Sequence, residues 1–384
     1  MTAADVACRR PILDRLWEHG PFARSFGLIT YPLSAGYAGI VAARSAWWRR
    51  MARRASLPVV SVGNLTVGGN GKTPFALFLA ARLRDRAIRV AIVSRGYGGS
   101  FSGRAGLVSD GRRILMTARE AGDEAVMLAK LFDGPIAVAR RRIHAIEMLA
   151  ERDLADAVVL DDAFQHLRLA RELDLVLIKE PRAFGNGRLL PAGPMRERAS
   201  ALRRADAIVL VRSPGSATDT IDPQVSDLAR GKLLLRAILR PSGLIRSDSG
   251  GWSVSPLALE GRRIAAVSGI ADADGFHSML RALGADLVRS LDYSDHHVYS
   301  PGDWRNILEA ARGLEMLVTT EKDLVKLESF ATGEFPLYAL RVAITMEQHD
   351  ETLLLTKALD CLGRRGRPRT ETSTTGKGGN TPWL

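Results

Sequence analysis

The sequence predicts an α/β fold: a mostly parallel sheet with helices on both faces, followed by a smaller α/β domain. Three observations predict it. Short β-branched runs alternate with helix-length stretches from Leu57 onward, one run leads into a glycine-rich segment (Thr66 to Thr73) that opens a helix, and another ends in the adjacent carboxylates Asp161 and Asp162. At 384 residues the chain exceeds one ordinary core and suits two domains.

Residues 1–56 come first and are basic, with nine Arg against Asp5, Asp14 and Glu18. Within them Phe26 to Ala43 carries no charge; it is bounded by Arg24 and Arg44 and followed by Trp47, Trp48 and further Arg. Pro32, Gly27, Gly36 and Gly39 leave this stretch only mildly apolar. It reads better as a helix lying on or dipping into a membrane than as a span or a helix packed on the body. Its late position, with no small-residue cleavage site, argues against a signal peptide.

Strands are expected over 58–63, 89–94, 135–139, 157–160, 173–178 and 207–211, with helices over 73–84, 124–132 and 141–151. This is a first unit, residues 57–260. A second series, residues 261–362, predicts strands over 262–268, 287–291, 316–319 and 337–344 and helices over 275–283, 301–312 and 351–362. The tail, 363–384, is rich in Arg, Gly and Thr and is expected to be disordered. The net charge of +12 resides mostly in the two ends, so the body is close to neutral. That distribution suits an anionic membrane surface and argues against nucleic acid as a partner. Cys8 and Cys361 have neither metal nor redox spacing.

The segment Thr66-Val67-Gly68-Gly69-Asn70-Gly71-Lys72-Thr73 has the context of a phosphate-binding loop, a strand before it and a helix after it. Glycines let backbone N–H groups converge on phosphate oxygens, and the helix N-terminus adds its positive end. Lys72 would reach the β and γ phosphates and the Thr73 hydroxyl would ligate Mg²⁺. The fold class thus sharpens to the P-loop NTPase type. Thr66 stands where the first Gly is usual; the bland alternative is a Gly-rich turn with an exposed Lys. Asp161 and Asp162 end a strand beside this loop, where they can hold Mg²⁺ or its waters. Strand-end Asp pairs also occur as plain solvated turns.

Asp123, after Gly122, has two readings that spacing leaves open: a helix N-cap, or a carboxylate accepting the proton of an attacking hydroxyl. Arg95-Gly-Tyr97-Gly-Gly99 follows the second strand and falls at the same sheet edge as the phosphates. The long Gly- and Pro-rich segment Phe184 to Glu197 ends in Arg196-Glu197 and is of a kind that carries function. His296 and His297 follow Asp295 without further ligands for a metal, so a satisfied or acid–base histidine is the better reading.

Together these segments resemble the tetraacyldisaccharide 4'-kinase (lipid A 4'-kinase) family. The resemblance is carried by SVGNLTVGGNGKTP at 61–74, SRGYGG at 94–99, GDE at 122–124, LDDAFQH at 160–166, FGNGRLLPAGPMRE at 184–197, DHH at 295–297 and TTEKDLVKL at 319–327. It implies two α/β domains closing over ATP, an N-terminal membrane-associating helix at the cytoplasmic face of the inner membrane, and phosphorylation of the 4'-hydroxyl of a lipid A disaccharide precursor. It favours Asp123 as the base with His296 tuning it, Lys72 at the phosphates, and Thr73, Asp161 and Asp162 around Mg²⁺. Arg95, Tyr97, Gln165, His166, Arg196 and Glu197 become candidate substrate or phosphate contacts. Thr66 is typical of the family; Ala125 and Ala163 depart from its usual Pro and Gly, which bears on loop shape. No obligate protein partner is implied. The competing reading is a P-loop ATPase or GTPase switch or metallochaperone acting on a protein, but Thr320-Glu-Lys-Asp323 places its Lys one position late for a guanine-reading N-K-x-D element.

Overall fold

The computed structural model describes residues 21–181, 183–213, 220–247, 253–331, 333 and 335–363; the expected basic tail beyond 363 and the first 20 residues lie outside them. The elements that position the site are helix α1 (Pro21–Arg50), β1 (Val59–Asn64), α2 (Lys72–Arg84), β2 (Val90–Ser94), β3 (Gly106–Asp110), α3 (Asp123–Leu131), β4 (Pro135–Val138), α4 (Arg142–Glu151), β5 (Ala157–Leu160), β6 (Leu173–Lys179) and β7 (Ala207–Arg212). Next come α5 (Pro223–Leu228), β8 (Leu233–Arg246), β9 (Ser253–Val254), β10 (Arg263–Ser268), α6 (Ala273–Ala282), β11 (Asp286–Asp292), α7 (Pro301–Ala311), β12 (Met316–Thr320), α8 (Glu321–Leu327), β13 (Leu337–Thr345) and α9 (Gln348–Gly363).

The strands form one sheet in the order β11-β10-β12-β13-β8-β7-β6-β1-β5-β2-β4-β3, with β9 paired to β8. β1 is buried at every position and parallel to both β5 and β6. Coverage on both faces is why these strands read as mainly apolar runs rather than as alternating ones. Because β1, β5, β2 and β6 run the same way, the segments that follow them all emerge at one edge, where an open α/β sheet binds ligands. Helix α2 lays Phe75, Ala76, Leu79, Ala80 and Leu83 on the sheet. Truncating one such core leucine to Ala costs about 2–5 kcal/mol.

Two features differ from the sequence expectation. The sheet does not stop near residue 260: β8 pairs parallel with β7 over 233–238, then antiparallel with β13 over 238–246. The second unit therefore extends the first unit's sheet. Helix α9, expected with the second unit, buries Leu354, Leu355, Ala358 and Leu362 in the core that also holds Phe75 and Leu79. In α1, Thr30, Ser34, Ala38 and Val41 are buried against the body, whereas Leu33, Ile40 and Trp47 are exposed at seven-residue spacing along another stripe. Among the described residues no helix is long and apolar enough to cross a membrane.

Candidate active site

Residues 65–71 turn sharply between β1 and α2, with Gly68 and Gly71 at φ 107° and 72°. Gly71 precedes α2 without any side-chain cap, so the first-turn N–H groups of a 13-residue helix face the loop. Thr66 keeps a negative φ and accepts a hydrogen bond of 2.7 Å from the Asn70 amide, which gives its hydroxyl a use a glycine would lack. Val67 N–H donates to the Pro194 carbonyl at 2.8 Å and Arg196 N–H to the Leu65 carbonyl at 2.7 Å, so the 184–197 segment braces the loop. Lys72 Nζ donates to the Gly68 carbonyl at 3.4 Å and lies 3.7 Å from Asp162.

The two strand-end carboxylates have separate surroundings. The Thr73 hydroxyl donates to Asp161 Oδ2 at 2.9 Å, while Oδ1 is buried with no hydrogen-bond partner among the described residues. Burial first, then the charges of Glu124 and Asp162, push the Asp161 carboxyl up to about 7. A buried carboxylate oxygen with an empty side and a hydroxyl neighbour is the donor set a hard cation takes. Asp162, at φ 47°, instead accepts from Arg196 at 2.9 Å through both oxygens. Burial raises its carboxyl, but Lys72 and Arg196 outweigh this and hold it below the usual range. Arg196 thus reaches the phosphate side through Asp162, whereas Glu197 is paired with Arg204 at 2.8 Å. Gln165 donates to the Asn64 carbonyl at 2.8 Å and fixes the end of β1. Burial and then Arg142, Arg171, Arg168 and Arg95 push His166 down to about 3, so it is neutral.

Asp123 is the first residue of α3 and caps nothing; the capping position is Gly122. Gly122, at φ 90°, packs so closely on the Arg95–Gly99 loop that a Cβ there would lie 2.3 Å from the Tyr97 carbonyl oxygen. Opposite Asp123 stands the second unit. His296 Nδ1 is 3.8 Å from Asp123 Oδ2, an ion-pair separation longer than a hydrogen bond. His296 has φ 61°, unusual for a non-glycine residue, and its ring packs 4.8 Å from that of Tyr97. Two residues absent from the candidate set join it: Lys326 Nζ is 3.7 Å from Asp123 Oδ2, and Lys322 Nζ is 3.2 Å from both Glu124 Oε1 and His296 Nε2. Burial raises Asp123, but His296, Lys322 and Lys326 prevail and its carboxyl lies below the ordinary range. The approach of Asp123 raises His296 in turn. His297 serves structure, stacked on Tyr293 at 4.6 Å and 3.3 Å from Asp303.

Along the Arg95–Gly99 loop, a cavity of about 290 Å³ is lined by Arg95, Tyr97, Phe101, Glu120 and Arg140 among others. On another side, α1 docks on the 184–197 segment: the Ser34 hydroxyl donates to the Leu189 carbonyl at 3.0 Å, and Tyr37 donates to the Arg196 carbonyl at 3.1 Å. The lipid-facing helix expected from the sequence is therefore tied to the strap over the phosphate loop.

The profile of the Tetraacyldisaccharide-1-P 4'-kinase family matches residues 26–359. A Tetraacyldisaccharide 4'-kinase of Geobacter sulfurreducens is 41% identical over 327 residues, covering 84% of this chain and 90% of the relative. One from Desulfotalea psychrophila is 38% identical over 337 residues, covering 85% and 95%. Among solved structures, LpxK from Aquifex aeolicus in complex with ATP superposes with a TM-score of 0.69 at 29% identity, covering 88% of this chain and 99% of that one. A nucleotide switch acting on a protein partner finds no counterpart among these relatives.

Proposed function

The chain belongs to the tetraacyldisaccharide 4'-kinase family, and from that premise we propose that Asp123 takes the proton of the acceptor's 4'-hydroxyl as the γ-phosphoryl of ATP passes to its oxygen. The chain is an ATP-dependent phosphotransferase of lipid A biosynthesis, and its acceptor is a tetraacyldisaccharide 1-phosphate. The 4'-oxygen forms the new bond to γ-phosphorus, the bond from γ-phosphorus to the β–γ bridging oxygen breaks, and ADP leaves with that electron pair.

The observation that carries this reading is the convergence on Asp123: a buried carboxylate between the nucleotide unit and His296, held ionised although buried. Lys72 and the α2 N-terminus offset the triphosphate charge, which is the larger share of catalysis in phosphoryl transfer. Thr73 and Asp161 would hold Mg²⁺, which supplies further charge neutralisation when bound; Asp162 serves by orienting Lys72 and Arg196. The cavity along the loop that follows β2, lined by Arg95 and Arg140, suits an anionic sugar acceptor. Leu33, Ile40 and Trp47 on α1 bring the enzyme to a lipid surface as a peripheral or monotopic protein at the cytoplasmic face of the inner membrane.

Asp123→Asn tests the base assignment, since it keeps size and removes the proton acceptor. Its kcat should fall by roughly 10²- to 10⁴-fold with nucleotide binding retained. Near-normal turnover would remove Asp123 from the mechanism.

A further inference from the structure

Lys326 has no part in the transfer as derived above, yet its ammonium is fixed from three directions. It donates to the His297 carbonyl at 3.0 Å, lies 2.8 Å from Oδ1 of the fully buried Asp323, and sits 5.3 Å from the centre of the Tyr299 ring. From there it faces Asp123 Oδ2 at 3.7 Å. Asp323 Oδ2 accepts from Gly269 N–H at 2.8 Å, and the Gly269 carbonyl accepts from His296 N–H at 3.2 Å. The contacts close on themselves: Asp123 to Lys326, to Asp323, to Gly269, to His296, and back to Asp123.

We propose that Lys326 is a positioning residue for the Asp123 base, holding the carboxylate's direction and, through the His297 carbonyl, the loop that presents His296. The proposal rests on Asp123 being the base. A lysine needed only to neutralise Asp323 would be served by that one contact. The other two, to a carboxylate of the first unit and to the carbonyl beside His296, link it to the reacting groups. Holding that loop matters because His296 sits at a positive φ that its surroundings must enforce.

The charged groups around Asp123 are His296 and Asp295 from the loop after β11, Lys322 and Lys326 from α8, and Glu124 from its own helix; Tyr97 covers the far side of His296. Without Lys326, Glu124 and Asp295 are less opposed, so Asp123 holds its proton to higher pH and the acidic limb of kcat moves upward.

The test compares pH profiles of kcat, at saturating ATP and acceptor, for the full-length wild type, Lys326→Gln, Lys326→Arg and Asp123→Asn. Gln keeps a donor for the His297 carbonyl and removes the charge; a thermal melt verifies that the variant folds. Lys326→Gln should lower kcat on the order of tenfold and move the acidic limb upward, with KM for ATP within about twofold of wild type. Lys326→Arg should restore the limb. A Gln variant that fails to fold, keeps the wild-type profile, or loses rate without moving the limb would make Lys326 structural and overturn the proposal. If Asp123→Asn itself turned over normally, the base assignment would fall first, and this inference with it.

Discussion

At Asp161 one carboxylate oxygen accepts from Thr73 and the other meets no hydrogen-bond partner among the described residues. Its pKa, about 7 in the folded chain, lies above the roughly 3.9 of an unfolded Asp, so the folded state binds the extra proton between those values. Stability is therefore lost as pH rises from about 4 to about 7, the opposite of a salt-bridged Asp. A divalent cation bound at Thr73 and Asp161, as proposed, would replace that proton. The melting-temperature rise produced by Mg²⁺ with ADP should grow from about pH 6 to about pH 8, across the folded pKa, and Asp161→Asn should remove the trend. A rise of equal size at both pH values would contradict the cation assignment. Asp162 shows what spacing could not decide: two adjacent carboxylates look equivalent on paper, but the φ of 47° at Asp162 turns it to Arg196 and Lys72.

Elements were legible in proportion to how fully they are buried. β1, β5 and β6, almost wholly buried, read as mainly apolar runs broken only by Ser61, Gly63, Asn64, Asp174 and Lys179, and lie within a residue or so of their expected bounds. β8 was not legible: Arg236, Arg240, Pro241 and Gly243 interrupt it, and much of it is only partly buried, so no period shows. Helix α8 was missed because seven largely charged residues carry too little periodicity, although Thr320 caps it through Asp323 N–H and places Lys322 and Lys326 one turn apart. That cap was the available signal for two residues of the site. The lipid-facing reading of α1 makes its own prediction. Leu33→Asp with Ile40→Asp, at side chains 60% and 69% exposed, should leave the melting temperature unchanged and sharply reduce cosedimentation with anionic vesicles. Undiminished sedimentation would place the contact elsewhere.

On the scale of the whole molecule, one sheet carries both halves of the site: the first unit holds the phosphate loop and Asp123, and the second supplies His296, Lys322 and Lys326. Helix α9 returns to pack on α2 behind the phosphate loop, so the end of the described chain stabilises its nucleotide-binding part. Leu354→Ala should accordingly cost about 2–5 kcal/mol in denaturant unfolding; an unchanged midpoint would detach α9 from that core. The same architecture ties α1 to the nucleotide-binding part, because α1 docks on the strap that braces the phosphate loop. The most direct test of the account is transfer of labelled γ-phosphate from ATP to a detergent-dispersed tetraacyldisaccharide 1-phosphate. Label should appear on the 4'-oxygen of the lipid with wild type and not with Asp123→Asn. Label released only as inorganic phosphate, at a rate indifferent to the lipid, would contradict it.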